Sequence, residues 1–215
     1  MLLDYDCVVG DAVSKIKITN YSRSGADANN PMKTGISEED RLHTLKFYGL
    51  LDTSTEDSFD KLVKLAALVC NTPISLVSLV DDHRQWFKAR VGLESQETPR
   101  EYAFCQHTIV QDEIMVVQDA TEDHRFADNP LVTGAPDIRF YAGAPLKVAN
   151  GHNIGTLCVI DCKPNTLTSH QLEALETIRD AVVSLIEFRL WRDVGGSRMG
   201  YFGGAYASRK GSESA

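Results

Sequence analysis

Long apolar runs are missing from this sequence. The longest, Leu65 to Cys70 and Ile74 to Val80, fall far short of the roughly 20 residues needed to span a bilayer. The N-terminus carries Asp4 and Asp6 with no basic segment ahead of an apolar stretch, so it does not read as a secretory signal. Basic charge is also scarce: 22 Lys and Arg stand against 30 Asp and Glu, for a net charge of -8. Affinity for nucleic acid comes mainly from clustered Lys and Arg, so nucleic acid is not expected as a partner. The five cysteines are odd in number and irregularly spaced, which makes no disulfide framework. Cys158 and Cys162, four apart on an expected strand, share a face at roughly 13 Å, too far for a bridge or a shared metal. His-Glu-x-x-His and paired Cys-x-x-Cys patterns are lacking, so no dedicated zinc site is expected. Gly143, Gly151 and Gly155 are spaced wrongly for a phosphate-binding loop. These absences describe a soluble protein of a reducing cytosol.

What is present suffices for one globular domain: 215 residues, 43% of them hydrophobic. Residues 1–36 read as a mobile arm with one short alternating run, Val13 to Ile18. Residues 37–193 form the domain. Residues 194–215 hold six glycines and end in Ser-Glu-Ser-Ala, a tail with no means of packing.

Within the domain, Ser37 opens a capping box ahead of a helix from about Glu38 to Tyr48. A second helix, Glu56 to Cys70, carries the apolar stripe Phe59, Leu62, Val63, Ala66 and Val69, and Pro73 ends it. Pro73 to Val80 and Gln85 to Val91 read as a β-hairpin around a polar turn. Glu94 to Arg100 is expected as loop, Tyr102 to Val110 as a short helix or turn, and Ile114 to Val117 as a third strand. Tyr141 to Val148 and Asn153 to Ile160 form a second hairpin, with Asn150-Gly151 as the turn because both residues accept positive φ. Thr168 and Gln171 make another capping box, opening a helix that runs to about Asp193. There Leu175, Ile178, Val182 and Leu185 fit a and d positions and suggest a partner helix. Hairpins with helices at both ends imply an α+β fold, with one sheet covered by the terminal helices on one face and by the middle segment on the other.

The domain is organised around Phe104 to Asp161, apolar strands with an irregular polar and aromatic segment laid between them. A concave site built this way is the default place for a small ligand. The candidate ligand-binding residues are Trp86, Phe104, Cys105, His107, Asp119, Phe126, Arg139 and Tyr141, with Phe87 and Phe140 as further aromatics. Cys105 and His107 invite a nucleophile and base pairing, but on a helix residues two apart diverge by about 200°, which favours a buried thiol and a packed histidine. His124 and Arg125 beside Phe126 are able to meet an anion or to lie solvated. Arg139 needs an anionic ligand or a salt bridge to Asp119, Asp128 or Asp161.

Leu79-Val80-Asp81-Asp82, Arg84-Gln85-Trp86-Phe87-Lys88, Phe104-Cys105-x-His107, Asp119-Ala120-Thr121, Arg125-Phe126-x-x-Asn129-Pro130-Leu131-Val132, Arg139-Phe140-Tyr141-Ala142-Gly143-x-Pro145-Leu146 and Gly155-Thr156-Leu157-Cys158-Val159-Ile160-Asp161 together resemble the GAF domains of bacterial-type signalling proteins. The resemblance runs from about Ser37 to Arg192. It implies a GAF-like six-stranded antiparallel sheet, a ligand cavity between the sheet and its variable loops, and homodimerisation through terminal helices. It names neither ligand nor cofactor. Such domains usually precede a histidine kinase or cyclase. Neither a glycine-rich ATP lid nor a Gly-Gly-Asp-Glu-Phe signature is present, so the signal is expected to reach a separate output protein of the kinase or cyclase class, unless the chain is a fragment or a stand-alone sensor.

Family members that attach bilin do so at a cysteine directly followed by histidine, and here Gln106 intervenes. The asparagine-lysine-phenylalanine signature of cyclic-nucleotide binders is not recognisable. The expected function is a non-enzymatic sensor that binds a small molecule and relays occupancy through its terminal helices. The alternatives are a thiol-dependent reductase of the free-methionine-sulfoxide type, in which Cys105→Ser stops turnover, and a ligand-free dimerisation module whose cavity is filled by its own side chains.

Overall fold

The computed structural model describes residues 37–194; the expected N-terminal arm, and the tail beyond residue 194, lie outside them. Helix α1 spans Glu38–Phe47 and is capped as expected, with the Ser37 hydroxyl accepting from the Asp40 backbone N–H at 3.1 Å. Helix α2, Asp57–Cys70, stops where Asn71 takes a left-handed conformation at φ 53°, one residue sooner than the proline would require. Its buried stripe is Phe59, Val63, Ala66, Ala67 and Cys70. Val69, placed in the stripe by spacing, is exposed.

Six strands form one antiparallel sheet in the order β3-β2-β1-β6-β5-β4. They are β1 Ile74–Val80, β2 Arg84–Val91, β3 Glu97–Pro99, β4 Met115–Val117, β5 Phe140–Lys147 and β6 Asn153–Asp161. Both hairpins form in the expected places. The segment expected as loop, Glu94 to Arg100, contains β3, which pairs Thr98 with Gln85 at the sheet edge. Helix α3, Cys105–Thr108, and helix α4, Pro130–Thr133, are single turns in the segment covering one face.

The turn of the second hairpin differs from the expected two-residue form. Gly151 has positive φ, at 90°, and Asn150 does not. Val148 N–H meets His152 O at 3.0 Å, closing a longer loop. Asn150 and His152 both bond the Thr44 hydroxyl of α1 at 2.8 Å, so their side chains are spent latching the loop to a helix.

Helix α5, Ser169–Val194, is opened by the expected box, with Thr168 N–H donating to Gln171 Oε1 at 2.9 Å. Leu175, Ile178, Val182 and Ile186 are buried in the chain's own core, while Leu185 only packs at its edge. The heptad seam is therefore occupied within the domain by α2 and the sheet, and the partner-helix expectation drawn from those residues is withdrawn. Phe188 and Trp191, which face outward, are stacked with centroids 6.0 Å apart.

The sheet separates two cores. On the helix side lie Leu45, Phe59, Val77, Trp86, Phe140, Leu157 and Val182 among others. On the other side, Leu76, Phe87, Tyr141, Cys158 and Ile160 pack against Phe104, Phe126, Leu131 and Ile138 of the covering segment. Side-to-side alternation along β1, and along β6 from Thr156 to Ile160, produces this division.

One interruption matters. The β1–β2 register slips between Val77 and Ser78, leaving Lys88 as the extra residue between Phe87 and Ala89. Lys88 follows Phe87 onto the helix side, and the bulge leaves Ala89 on that side as well. Its fully buried ammonium donates to Glu56 at 2.6 Å, the Ser54 carbonyl at 2.8 Å and the Thr53 hydroxyl at 2.9 Å. Glu56 also accepts from Arg189 of α5 at 3.1 Å.

Candidate functional site

A cavity of about 40 Å³ lies between the sheet and the covering segment. Ile74 and Leu76 of β1, Gln85 and Phe87 of β2, Tyr141 of β5 and Ile160 of β6 form its floor, and each stands at a lid-facing position of its strand. Thr98 of β3 contributes the edge; Phe104, Cys105, Leu131, Pro136 and Ile138 form the roof. Among the described residues no charged side chain lines it. The polar groups are Gln85, Thr98, Cys105 and the Tyr141 hydroxyl.

Two of these polar groups are unanswered. Gln85 and Thr98 are each 6% exposed, and among the described residues Gln85 Oε1 and Thr98 Oγ1 have no hydrogen-bond partner. Buried polar atoms left without a partner cost about 1–3 kcal/mol each, and these two stand opposite one another on neighbouring strands at the wall of the cavity.

The expected site residues divide. Phe104, Cys105 and Tyr141 line the cavity. Phe126 stands behind the wall, stacked on Phe104 with centroids 4.0 Å apart. His107 meets Phe126 edge-on at 5.0 Å. Burial, with Arg125 nearby, pushes its imidazole below the ordinary range. Trp86 lies on the helix side of the sheet, as does Phe140, because Phe87 and Tyr141 take the lid-facing positions next to them. Asp119 is a turn residue: its carboxylate accepts from the Thr121 hydroxyl at 2.7 Å and the Thr121 N–H at 3.0 Å.

Arg139 does not reach Asp119, Asp128 or Asp161 as a salt bridge. It donates to the carbonyls of Val132 at 2.9 Å and Ile138 at 3.1 Å, with Asp137 at 4.0 Å. The guanidinium thus pins the two ends of the loop whose Pro136 and Ile138 roof the cavity. Arg125 is occupied by Asp123, through contacts of 2.9 and 2.6 Å, and lies over the Phe126 ring at 4.9 Å.

Cys105 and His107 share no contact of the kind a nucleophile and base need; Cys105 turns to the sheet. Its sulfur accepts from the Thr156 hydroxyl at 3.0 Å and the Tyr141 hydroxyl at 3.3 Å, and lies 4.0 Å from Cys158 Sγ. Gly143 makes this possible, since a Cβ there would stand 2.1 Å from the Tyr141 hydroxyl. Burial pushes the Cys105 thiol up, but the hydrogen bonds from Cys158, Ser78, Thr156 and Tyr141 outweigh it and bring it below its ordinary value. Cys158 moves up, through its bond to Cys105 and its burial. Strand spacing compared Cys158 with Cys162 alone and found them too far apart to bridge; the fold presents Cys158 to a cysteine 53 residues away.

Residues 54–185 match the GAF domain family. The chain belongs to the GAF domain family. Over 139 residues this GAF domain is 44% identical to a cyclic di-GMP phosphodiesterase of Pseudomonas aeruginosa, a stretch covering 64% of the chain and 24% of that protein. The chain therefore spans about a quarter of that relative. Among solved structures it resembles the GAF domain of an Acinetobacter phosphoenolpyruvate-protein phosphotransferase, with a TM-score of 0.51 and 19% identity over 75% of this chain and 99% of that one. It also resembles a domain ascribed to a two-component sensor histidine kinase of Sinorhizobium meliloti, with a TM-score of 0.52 and 14% identity over 66% of this chain and 98% of the other. At such identities the structures speak for the fold alone. Among the described residues no helix is long and apolar enough to cross a membrane.

Gln85, Thr98, Leu131, Pro136 and Ile138 were not foreseen as cavity residues. For Gln85 a signal existed: it stands two residues before Phe87 on a strand, a polar side chain on the same face as an aromatic one.

Proposed function

We propose that this GAF domain is a cytoplasmic sensory module whose cavity receives a small, uncharged molecule and whose C-terminal helix reports the occupancy. The observation that carries the reading is the pair of unanswered polar atoms, Gln85 Oε1 and Thr98 Oγ1, at the wall of an otherwise apolar cavity. A carbonyl oxygen accepts only, and a hydroxyl donates or accepts. The ligand accordingly offers at least one N–H or O–H to Gln85. An anion would be desolvated in a cavity without any cation to receive it, which argues against a phosphate or carboxylate ligand. The volume of about 40 Å³ is far below the roughly 300–1,000 Å³ of drug-sized sites. Only a few non-hydrogen atoms fit, unless the loop that Arg139 pins is lifted.

A chain of contacts supports the relay. Phe87 forms cavity floor, the next residue Lys88 bonds Glu56 through the sheet, and Glu56 bonds Arg189 of α5. Any movement of β2 on binding biases the position of α5, which is the form a population shift takes here. The match to part of a cyclic di-GMP phosphodiesterase supports an output module of the kinase or cyclic-dinucleotide class. On this reading binding, with no turnover, is the function, and the working form is a homodimer joined through exposed Phe188 and Trp191.

Two expected outcomes test this. Gln85→Leu with Thr98→Val removes both orphaned atoms, so the variant should be as stable as the parent or more so by urea denaturation, yet lose at least about tenfold in affinity for a bonded ligand. Equal affinity would reject these residues as ligand contacts. Phe188→Ser with Trp191→Ser should sediment as monomer at a concentration where the parent is a dimer; unchanged sedimentation would reject that surface.

A further inference from the structure

Cys105 and Cys158 are buried free thiols with sulfurs 4.0 Å apart. Their surroundings are specific. The Thr156 and Tyr141 hydroxyls both donate to Cys105, and each is held in turn, Thr156 against the Ser78 hydroxyl at 3.1 Å and Tyr141 against the Thr108 hydroxyl at 2.9 Å. Donors converging on one sulfur favour its thiolate over its thiol. The sulfur that receives them belongs to a residue of the cavity lining, which gives a small reagent a site next to it. Cys158, on the central strand β6, is the neighbour on the far side.

We propose that Cys105 and Cys158 form a reversible redox pair oxidised to a disulfide by hydroperoxides small enough to enter the cavity. The Cys105 thiolate attacks one peroxide oxygen; a sulfur–oxygen bond forms, the oxygen–oxygen bond breaks, and the departing oxygen takes the Cys105 proton to leave as water, or as an alcohol from an organic peroxide. Cys158 then attacks the sulfenic acid. The sulfur–sulfur bond forms as the hydroxyl leaves with the Cys158 proton as a second water. Two thiols lose two electrons in all, and the peroxide gains them.

Closing the sulfurs from 4.0 Å to a bond of about 2.05 Å requires one element to move. Cys158 is fixed in the middle of the sheet, whereas Cys105 sits on the single-turn α3 of the covering segment. Oxidation therefore draws α3 toward the sheet and with it Phe104, the adjoining piece of cavity roof. The pair stands on its own geometry and holds whether or not the cavity takes another ligand.

The test uses the full chain, reduced, then exposed to hydrogen peroxide, quenched with an alkylating agent in denaturant and mapped by peptide mass spectrometry. The expected product is a Cys105–Cys158 cross-linked peptide, with loss of both alkylatable thiols and their recovery on treatment with dithiothreitol. Cys70, a buried free thiol pushed up to about 11 by burial, is the internal control and should remain alkylated. In a Cys158→Ser protein, Cys105 should stop at a sulfenic acid trapped by dimedone. Peroxide treatment that leaves both cysteines alkylated, or that carries wild-type Cys105 to the sulfinic acid with no cross-link, overturns the proposal. The wild-type map needs no variant, so a substitution that fails to fold does not blunt it.

Discussion

A Gly155→Ala protein is expected to lose the native sheet. Gly155 lies opposite Leu79, where the central strands β1 and β6 pair. A Cβ added there would stand 2.0 Å from the Ser78 carbonyl oxygen and 3.0 Å from Leu79 Cα. Those are backbone atoms in the middle of a six-stranded sheet, and they cannot withdraw without parting the two strands. The cost should exceed about 4 kcal/mol, a large share of the roughly 5–15 kcal/mol that holds a domain together. Loss of near-ultraviolet circular dichroism, or recovery only as insoluble protein, is the expected readout. Gly151→Ala is the contrast: nothing lies within 4 Å of its Cβ position, so only the positive φ is penalised, at about 1 kcal/mol. Equal urea midpoints for the two variants would show that the close strand approach is not what Gly155 provides.

Glu56→Ala should be the most damaging change on the helix side, and more damaging than removal of its partner. The Lys88 side chain is 0% exposed, whereas Glu56 is 28% exposed. Without Glu56, a buried ammonium keeps the Thr53 hydroxyl, the Ser54 carbonyl and the face of the Phe59 ring at 5.4 Å but no counter-charge, and an uncompensated buried charge costs about 3 kcal/mol or more. Without Lys88, Glu56 keeps Arg189 at 3.1 Å and access to water, so Lys88→Met should cost about 1 kcal/mol. Urea midpoints rank the two; the reverse order would mean that the carboxylate, not the ammonium, is the stranded charge.

The same network has a pH dependence of defined sign. Burial raises the Glu56 carboxyl, but Lys88 and Arg189 outweigh it and hold it below its ordinary value of 4.5. A carboxyl lowered in the folded state contributes stability above its unfolded pKa and loses it as pH falls through the folded one. The stability gap between the parent and Lys88→Met should therefore be full near neutrality and shrink on acidification below about pH 4.5. A gap that stays constant down to pH 3 would detach the effect from Glu56.

Much of this fold can be read along the chain because its signals are local. Ser37 and Thr168 announce helix starts with their own hydroxyls, and both hairpins show as apolar runs broken by polar turns. What escapes is set by pairing across distance. Trp86 and Phe87 are adjacent aromatics on one strand, so they must face opposite sides; nothing in their chemistry says which side is the cavity, and the bulkier ring is the one that points away. Strand β3 is three residues long and ends in proline, too short for any periodicity to emerge. The Cys105 to Cys158 approach joins a covering turn to a central strand and leaves no mark in the spacing of either. Arg139 reads as needing an anionic ligand or one of three aspartates, but backbone carbonyls of a loop, which no sequence pattern advertises, receive its guanidinium.

The proposed ligand is a small uncharged molecule held in the cavity beside Gln85 and Thr98. Native and denaturing mass spectra of the chain, recorded after incubation with a cell extract of its own source, test it most directly. An added mass should be present under native conditions and lost on denaturation, identified as a neutral compound with an N–H or O–H donor, and absent from the Gln85→Leu, Thr98→Val protein. Bare protein under both conditions, or an anionic compound retained equally by parent and variant, would contradict it.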